Sequence, residues 1–383
     1  MALHQYDPRY PPRDVQPNFT GPSYTIGIEE ELMILDPESF SLANAIDALV
    51  EECDDPERVK PELLESVLEI ATPPARNTSE AAGLLRGLRR RVCEAAERRG
   101  LCIGSAGTHP FAMWEDQRVT GQERYRDLVA ALRFVARQEI IFGLHVHVGI
   151  DDADKAIHVA NGMRMHIPLL LALSANSPFW RAQSTGLAST RMPIFRAFPR
   201  VGMPPTYENW DDFAARIAFM TEAGVIDDYT YLWYDVRPHP KLGTVEIRVM
   251  DAQTRVEHTL GLAALIQAMV KELAEHFEAG KALTRYPHQM VDENKWLAAR
   301  HGLDGELVDL PSRERVATRE LARRLLDRLR PHAEELGSGA ELAAVEDLLE
   351  RGNGAARQLV VHEANHDLRE VVTEIAAATV DVG

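Results

Sequence analysis

Three short segments carry the same constraint, and it limits the fold more than any other feature of the chain. In Leu144-His145-Val146-His147-Val148-Gly149-Ile150 the apolar residues take alternate positions and both histidines take the others. A period of two is the signature of a strand with one face against a core. Thr244-Val245-Glu246-Ile247-Arg248-Val249 repeats the pattern, with Thr244, Glu246 and Arg248 on the second face. Ile26-Gly27-Ile28-Glu29-Glu30-Glu31 places Glu29 and Glu31 opposite Ile26 and Ile28. Glu30 breaks the rule by falling on the apolar face, which suits a sheet edge. For one strand alone, a wet outer face explains such alternation. Glu is a poor strand former, however, and three strands carrying E-x-E, H-x-H and E-x-R point to one shared polar face.

That donor set has chemical meaning. Carboxylates with one or two imidazoles make a hard, oxygen-rich site suited to Mg²⁺ or Mn²⁺ rather than zinc. An arginine two residues from a ligand adds a fixed cation for a transferring phosphoryl group. Glu62 and Glu69, in Pro61-Glu62-Leu63-Leu64-Glu65-Ser66-Val67-Leu68-Glu69, add two more candidates. Their odd spacing would put them on opposite faces of one unbroken strand, so both reach a common site only if the chain turns between them, at Glu65-Ser66.

Around these strands the pattern is mixed. Apolar periodicity predicts helices over 79–99, 124–142, 153–175, 210–223 and 257–279, and again from 318 onward. Further strands are expected at 24–35, 101–105, 229–236 and 244–250. No regular βαβ rhythm links them, so the expected fold is α+β, with a largely antiparallel sheet and helices around it. Residues 1–22, with five prolines, read as a flexible arm, and 23–383 as a single domain with a helical C-terminal part.

Composition excludes other classes. Lys and Arg number 42 against 59 Asp and Glu, a formal charge of −17 that disfavours a nucleic-acid partner. The longest uncharged apolar run, 167–173, contains Pro168 and falls far short of the ~20 residues a membrane span needs. Three widely spaced cysteines, Cys53, Cys93 and Cys102, have no C-x-x-C pairing and suit a reducing cytoplasm.

Several motifs occur in a telling order: Gly27-Ile28-Glu29-Glu30-Glu31, Glu62…Glu69-x-x-Thr72-Pro73, Gly143-Leu144-His145-Val146-His147-Val148-Gly149 and Glu246-Ile247-Arg248. With Gly107-Thr108-His109-Pro110-Phe111, Asn294-Lys295-Trp296 and Gly352-Asn353-Gly354, the chain over about 22–360 resembles the carboxylate–amine ligase branch of the glutamate–cysteine ligase superfamily, whose catalytic sheet is related to that of glutamine synthetase. The resemblance implies a curved sheet forming an active-site funnel, a single catalytic domain over 23–383, and an ATP-dependent enzyme that activates a carboxylate as an acyl phosphate and passes it to an amine. The expected donor is glutamate through its γ-carboxylate, and cysteine is the best-known acceptor. Carried over by position, Glu29, Glu31, Glu62, Glu69, His145 and Glu246 are expected as metal ligands, with Glu246 and Arg248 as the catalytic pair. Arg248 would face the phosphates, and His147 either lines the nucleotide site or packs behind the ligands. Gly352 and Gly354 are candidates for a phosphate-facing helix start, with a plain turn as the alternative. Arg191 and Arg196 are expected at the substrate, although Thr190 stands where the family often has an aromatic residue. His109 is read as ordering its loop, Trp233 and Trp296 as packing. The implied partners are small-molecule substrates and ATP, and the branch is commonly dimeric. A metal-dependent amidohydrolase and a non-catalytic nucleotide- or metal-binding module stay open as alternatives.

Overall fold

Strand β1 (Ile26–Leu35) organises the protein in the computed structural model, which describes residues 15–381. Its apolar residues and those of its neighbours form a half-buried surface that only a partner layer can cover. The other strands of the main sheet are β2 (Val59–Pro61), β3 (Val67–Ala71), β4 (Cys102–Gly104), β5 (Gly143–Gly149), β6 (Val236–His239) and β7 (Thr244–Asp251). They lie in the order β6-β7-β5-β1-β3-β2, with β4 also paired to β1, and every pairing in this sheet is antiparallel. The α+β architecture expected from the sequence is the one observed.

Helices cover the apolar face. Ile26, Ile28, Val146, Val148, Val245 and Ile247 are shut off from solvent in one core with α1 (Thr78–Arg98) and the long α2 (Val256–Glu278). α2 is buried over most of its surface from Val256 to Ala274, because other elements surround it. Asn77 caps α1 by accepting from the Glu80 amide at 2.9 Å.

Four expectations need correction. Glu30 lies in an interior strand, wholly buried against Arg89 of α1, and so occupies no sheet edge. The helix expected over 124–142 breaks at Arg133, whose φ of 54° no helix accommodates, into Glu123–Leu132 and Phe134–Arg137. The helix expected over 153–175 divides into Ala153–Met163 and Ile167–Ser174, the second carrying Pro168 in its first turn. The strand expected over 229–236 is a 3₁₀ turn, Tyr229–Tyr231, followed by the two-residue strand Trp233–Tyr234.

The expected arm is only partly within view. Residues 1–14 lie outside the described residues. Residues 15–22 are tied down: Phe19 is buried against Trp210, with ring centroids 5.5 Å apart, and the Asn18 amide donates to the Pro240 carbonyl at 2.9 Å.

Candidate active site

Strand register gathers the polar residues. Glu29 sits opposite His145, Glu31 opposite Glu69, and Glu246 opposite both His147 on one side and Arg237 on the other. Side chains alternate along each strand, so directly paired positions share a face and these residues form one row across five strands. The odd spacing of Glu62 and Glu69 is resolved by a turn, in which the Val67 amide donates to the Leu64 carbonyl at 3.0 Å. A bulge in β7 follows Ile247, where pairing to β5 slips by one residue. Such bulges re-aim side chains next to sites, and here Glu246 and Arg248 both face the same space.

That space is a cavity of about 370 Å³. Its wall includes Glu29, Glu31, Glu62, Glu69, His145, His147, Glu246, Arg248 and Arg191, all singled out from sequence. It also includes Arg124 and Tyr125, then Glu139 and Arg237, which sequence reasoning missed, and Trp233, which it assigned to packing. Nothing local marks Glu139: it follows a short helix and precedes β5 without any alternation.

Charges in the cavity are strongly coupled. Burial alone would raise the Glu246 carboxyl, yet Arg237, Arg248 and His147 outweigh it and hold the group well below the usual range. Both arginines hydrogen-bond it, and Arg237 is anchored in turn on the Leu232 carbonyl at 2.7 Å. Burial opposes ionisation of Glu29 too, but the charge of His147 and the close approach of both imidazoles keep its carboxyl well below normal. The distances are 3.5 Å from His145 Nδ1 to Glu29 Oε2 and 3.5 Å from His147 Nε2 to Glu29 Oε1. On the other side of the row the balance reverses. Burial and the neighbouring Glu31 push Glu62 up to about 7, and burial with Glu29 and Glu62 pushes Glu69 well above normal. Lys60, 3.5 Å from Glu69, offsets this only in part.

This is an arrangement a divalent cation would relieve. One ligand atom each from Glu29, His147 and Glu246 lies within 4.8 Å of the others. His145 Nε2 and His147 Nε2 are buried without a hydrogen-bond partner among the described residues. Crowded carboxylates beside orphaned imidazole nitrogens fit Mg²⁺ or Mn²⁺. His147 therefore stands in the donor row itself as closely as His145 does.

The remaining candidates separate. Arg191 reaches the cavity because its loop is pinned from below. Asp251 accepts from the Asn176 amide at 2.8 Å, Ser177 Oγ at 2.6 Å and Ser189 Oγ at 2.9 Å, while Ser177 Oγ accepts from the Arg191 amide at 3.1 Å. Gly143 admits the guanidinium: a Cβ there would lie 2.5 Å from Arg191 Nη2 and 2.9 Å from His145 Nε2. Arg196 does not line the cavity. It points outward and pairs with Asp292 at 2.9 Å. Gly352 and Gly354 do not line it either. Asn353 between them caps the helix Gly354–Asn365 and donates to the Ala172 carbonyl at 2.9 Å, and Gly354 is small because the Asn176 side chain packs on it. His109 orders its loop as expected, bonding the Phe40 carbonyl through Nε2 at 2.8 Å and accepting the Ala112 amide at Nδ1 at 3.0 Å. Trp296 is half exposed, away from the cavity.

Sheet, covering helices and donor row together have the make-up of an ATP-dependent ligase of the glutamate–cysteine ligase type. The chain belongs to glutamate–cysteine ligase family 2, whose model matches residues 25–374. A protein of Rubrobacter xylanophilus provisionally named glutamate–cysteine ligase 2-1 is 45% identical over 358 residues, 93% of this chain and 95% of that protein. One of Solibacter usitatus, provisionally named glutamate–cysteine ligase 2, is 40% identical over 354 residues, 92% of each. Among solved structures, a glutamate–cysteine ligase of Francisella tularensis in complex with AMP superposes with a TM-score of 0.68 at 16% identity, covering 94% of this chain and 89% of that one. A bifunctional glutathione synthetase of Pasteurella multocida superposes with a TM-score of 0.64 at 13% identity, covering 93% and 52%.

Proposed function

We propose that the cavity is the active site of an ATP-dependent ligase that joins the γ-carboxylate of glutamate to an amine, with cysteine as one acceptor. The observation that carries this reading is the row of carboxylates and imidazoles sharing one cavity with two arginines, Arg248 and Arg191. A carboxylate is a poor acyl donor because its leaving group would be oxide. Attack of its oxygen on the γ-phosphorus of ATP, with departure of ADP, gives an acyl phosphate. An amine then attacks the acyl carbon, phosphate leaves, and the amide forms as the nitrogen loses its proton.

Glu29, Glu31, Glu62, Glu69, His145 and Glu246, with His147 beside them, would hold Mg²⁺ or Mn²⁺, whose charge would offset that of the ATP phosphates. Arg248 supplies a fixed cation, oriented by its bond to Glu246. Arg237 locks Glu246 from the far side, so neither partner swings when substrate arrives. Arg191 offers its guanidinium to a substrate carboxylate. Phe195, Phe198 and Trp233 on the wall help to exclude water, which would otherwise hydrolyse the acyl phosphate.

Release of ADP that requires both glutamate and an amine tests the reading. Glu246→Gln and Arg248→Ala are each expected to lower it by 10²-fold or more, the order seen when one charge-stabilising group is lost. Unchanged turnover in both variants, or amide hydrolysis without ATP, would remove this sheet face as a ligase site. A cytoplasmic setting goes with this reading, in keeping with three free cysteines. So does a homodimer, which light scattering on the purified protein checks. No helix among the described residues is long and apolar enough to cross a membrane.

A further inference from the structure

Asp235 stands opposite Arg248 and is paired elsewhere. The ladder between β6 and β7 matches Arg237 with Glu246 and Val236 with Ile247, and one step further the Arg248 amide donates to the Asp235 carbonyl at 2.8 Å. Side chains at opposed positions of an antiparallel pair share a face, with Cβ atoms about 4.5–5.5 Å apart, and opposite charges so placed attract each other. Yet among the described residues no ion pair within 4.0 Å joins Asp235 to Arg248. Arg248 bonds Glu246 on its own strand, and the Asp235 carboxylate turns to Lys295 Nζ at 2.6 Å. The Asp235 and Lys295 side chains are 1% and 7% exposed.

Lys295 comes from an element that is itself pinned. It lies on the helix His288–His301, where the neighbouring Asn294 donates to the Val308 carbonyl and accepts the Val308 amide, both at 2.7 Å. The Asp235 backbone is held too, its amide donating to the Gly202 carbonyl at 2.9 Å. Neither Asp235 nor Lys295 lines the cavity. Two atoms here stay uncommitted: Arg248 Nε and Asp235 Oδ1 are buried without a hydrogen-bond partner among the described residues.

A buried carboxylate stripped of its cation is costly, so it recruits any cation in reach. Without the Lys295 ammonium, the relief at hand for Asp235 is the guanidinium opposite. Arg248 would then be drawn off Glu246, and its free N–H groups would be spent inside the protein rather than offered to a phosphate.

We propose that Lys295 is a positioning residue for the ligase reaction: by holding the Asp235 carboxylate it keeps that acid from capturing Arg248, which stays on Glu246 and free to face the ATP phosphates. This deepens the ligase reading and rests on it for the role of Arg248. The Asn294-Lys295-Trp296 motif thus acts on the site from behind its wall, Asn294 fixing the helix and Lys295 the acid.

Steady-state ADP release by full-length variants tests this, with kcat taken per folded molecule from circular dichroism. Lys295→Met is expected to lower kcat by about 10²-fold, the order seen when one charge-stabilising group is lost, while the KM for glutamate stays within about threefold. Asp235→Asn, alone or combined with Lys295→Met, leaves no acid to take Arg248, so both of these are expected to keep kcat within about fivefold of the unaltered protein. A pair that merely braced the fold predicts equal kcat losses in the two single variants, and that result overturns the proposal. So does an unchanged kcat in Lys295→Met. If Lys295→Met does not fold, Lys295→Gln, which drops the charge but still donates, takes its place in each measurement. A crystal structure of the same variant needs no turnover: Arg248 bonded to Asp235 is expected, and Arg248 still on Glu246 alone overturns the assignment. ADP release by the unaltered protein that ignores glutamate and amine sinks the ligase reading, and the crystal structure then decides the positioning by itself.

Discussion

Glu30 of β1 and Arg89 of α1 form a two-pronged ion pair with both side chains fully buried, Nε to Oε2 at 2.7 Å and Nη2 to Oε1 at 2.8 Å. The remaining capacity of the pair is used: Arg89 donates to the Gln253 and Thr254 carbonyls at 2.7 and 2.8 Å, and Thr259 donates to Glu30. The pair ties β1, the strand carrying Glu29 and Glu31, to both covering helices. Removing one partner leaves the other charge uncompensated in the core. Arg89→Met is therefore expected to destabilise the protein by about 3–5 kcal/mol, and urea unfolding followed by circular dichroism reads it. A loss below about 1 kcal/mol would mean that the pair contributes no more than a surface one.

Glu29 joins His147 and Glu246 in the tightest group of donors. Glu29→Gln removes a charge while keeping the shape of the side chain. Affinity for Mn²⁺, measured from the free-ion paramagnetic signal without any substrate, is expected to fall at least about tenfold. Unaltered Mn²⁺ binding would take Glu29 out of the ligand set.

The two arginines predicted at the substrate should now behave differently. Arg196 is an exposed partner of Asp292, and such pairs contribute at most about 1 kcal/mol. Arg196→Ala is expected to keep kcat/KM within about threefold of the unaltered enzyme, whereas Arg191→Ala should raise the KM for the donor acid tenfold or more. Equal effects would contradict the placement of the two side chains.

Gly143 should not tolerate even one methyl group. A Cβ would meet Arg191 Nη2 at 2.5 Å and His145 Nε2 at 2.9 Å, so one of them must move. Displacement of a positioning group by about 1 Å can cost 10²-fold in rate. Gly143→Ala is expected to lower kcat/KM on that order while the melting temperature drops only modestly, which a thermal scan beside the kinetics would show.

His109 gives a pH signature. Burial lowers its pKa to about 4, against 6.5 for an ordinary histidine, despite the bond to Phe40. Between pH 6.5 and 4 the unfolded chain takes up a proton that the folded ring refuses, so this contribution is intact above pH 6.5 and is lost as pH falls through that window. The loss amounts to roughly 3 kcal/mol by pH 4. His109→Gln should be less stable at pH 7, with the gap to the unaltered protein narrowing towards pH 4.5. A constant gap in urea midpoints across this range would show that His109 does not carry the effect.

Alternation made β1, β5 and β7 legible, and with them Glu29, Glu31, His145, His147, Glu246 and Arg248, because a period of two is a local property that burial on one side imposes on each strand. The turn that Glu62 and Glu69 require could be inferred from their odd spacing. Glu30 could not be placed, since its partner Arg89 lies 59 residues away on a helix and no pattern in β1 names it. Glu139 and Arg237 were silent for the same reason, and Arg196, Gly352 and Gly354 looked functional from neighbouring residues although the fold turns them elsewhere. Alone, the sequence determined which residues share a face of each strand and which chemistry that face can hold. Only the tertiary structure decided which faces meet, because strand register, loop anchoring at Asp251 and the loss of water around Glu139 all depend on residues distant in the chain.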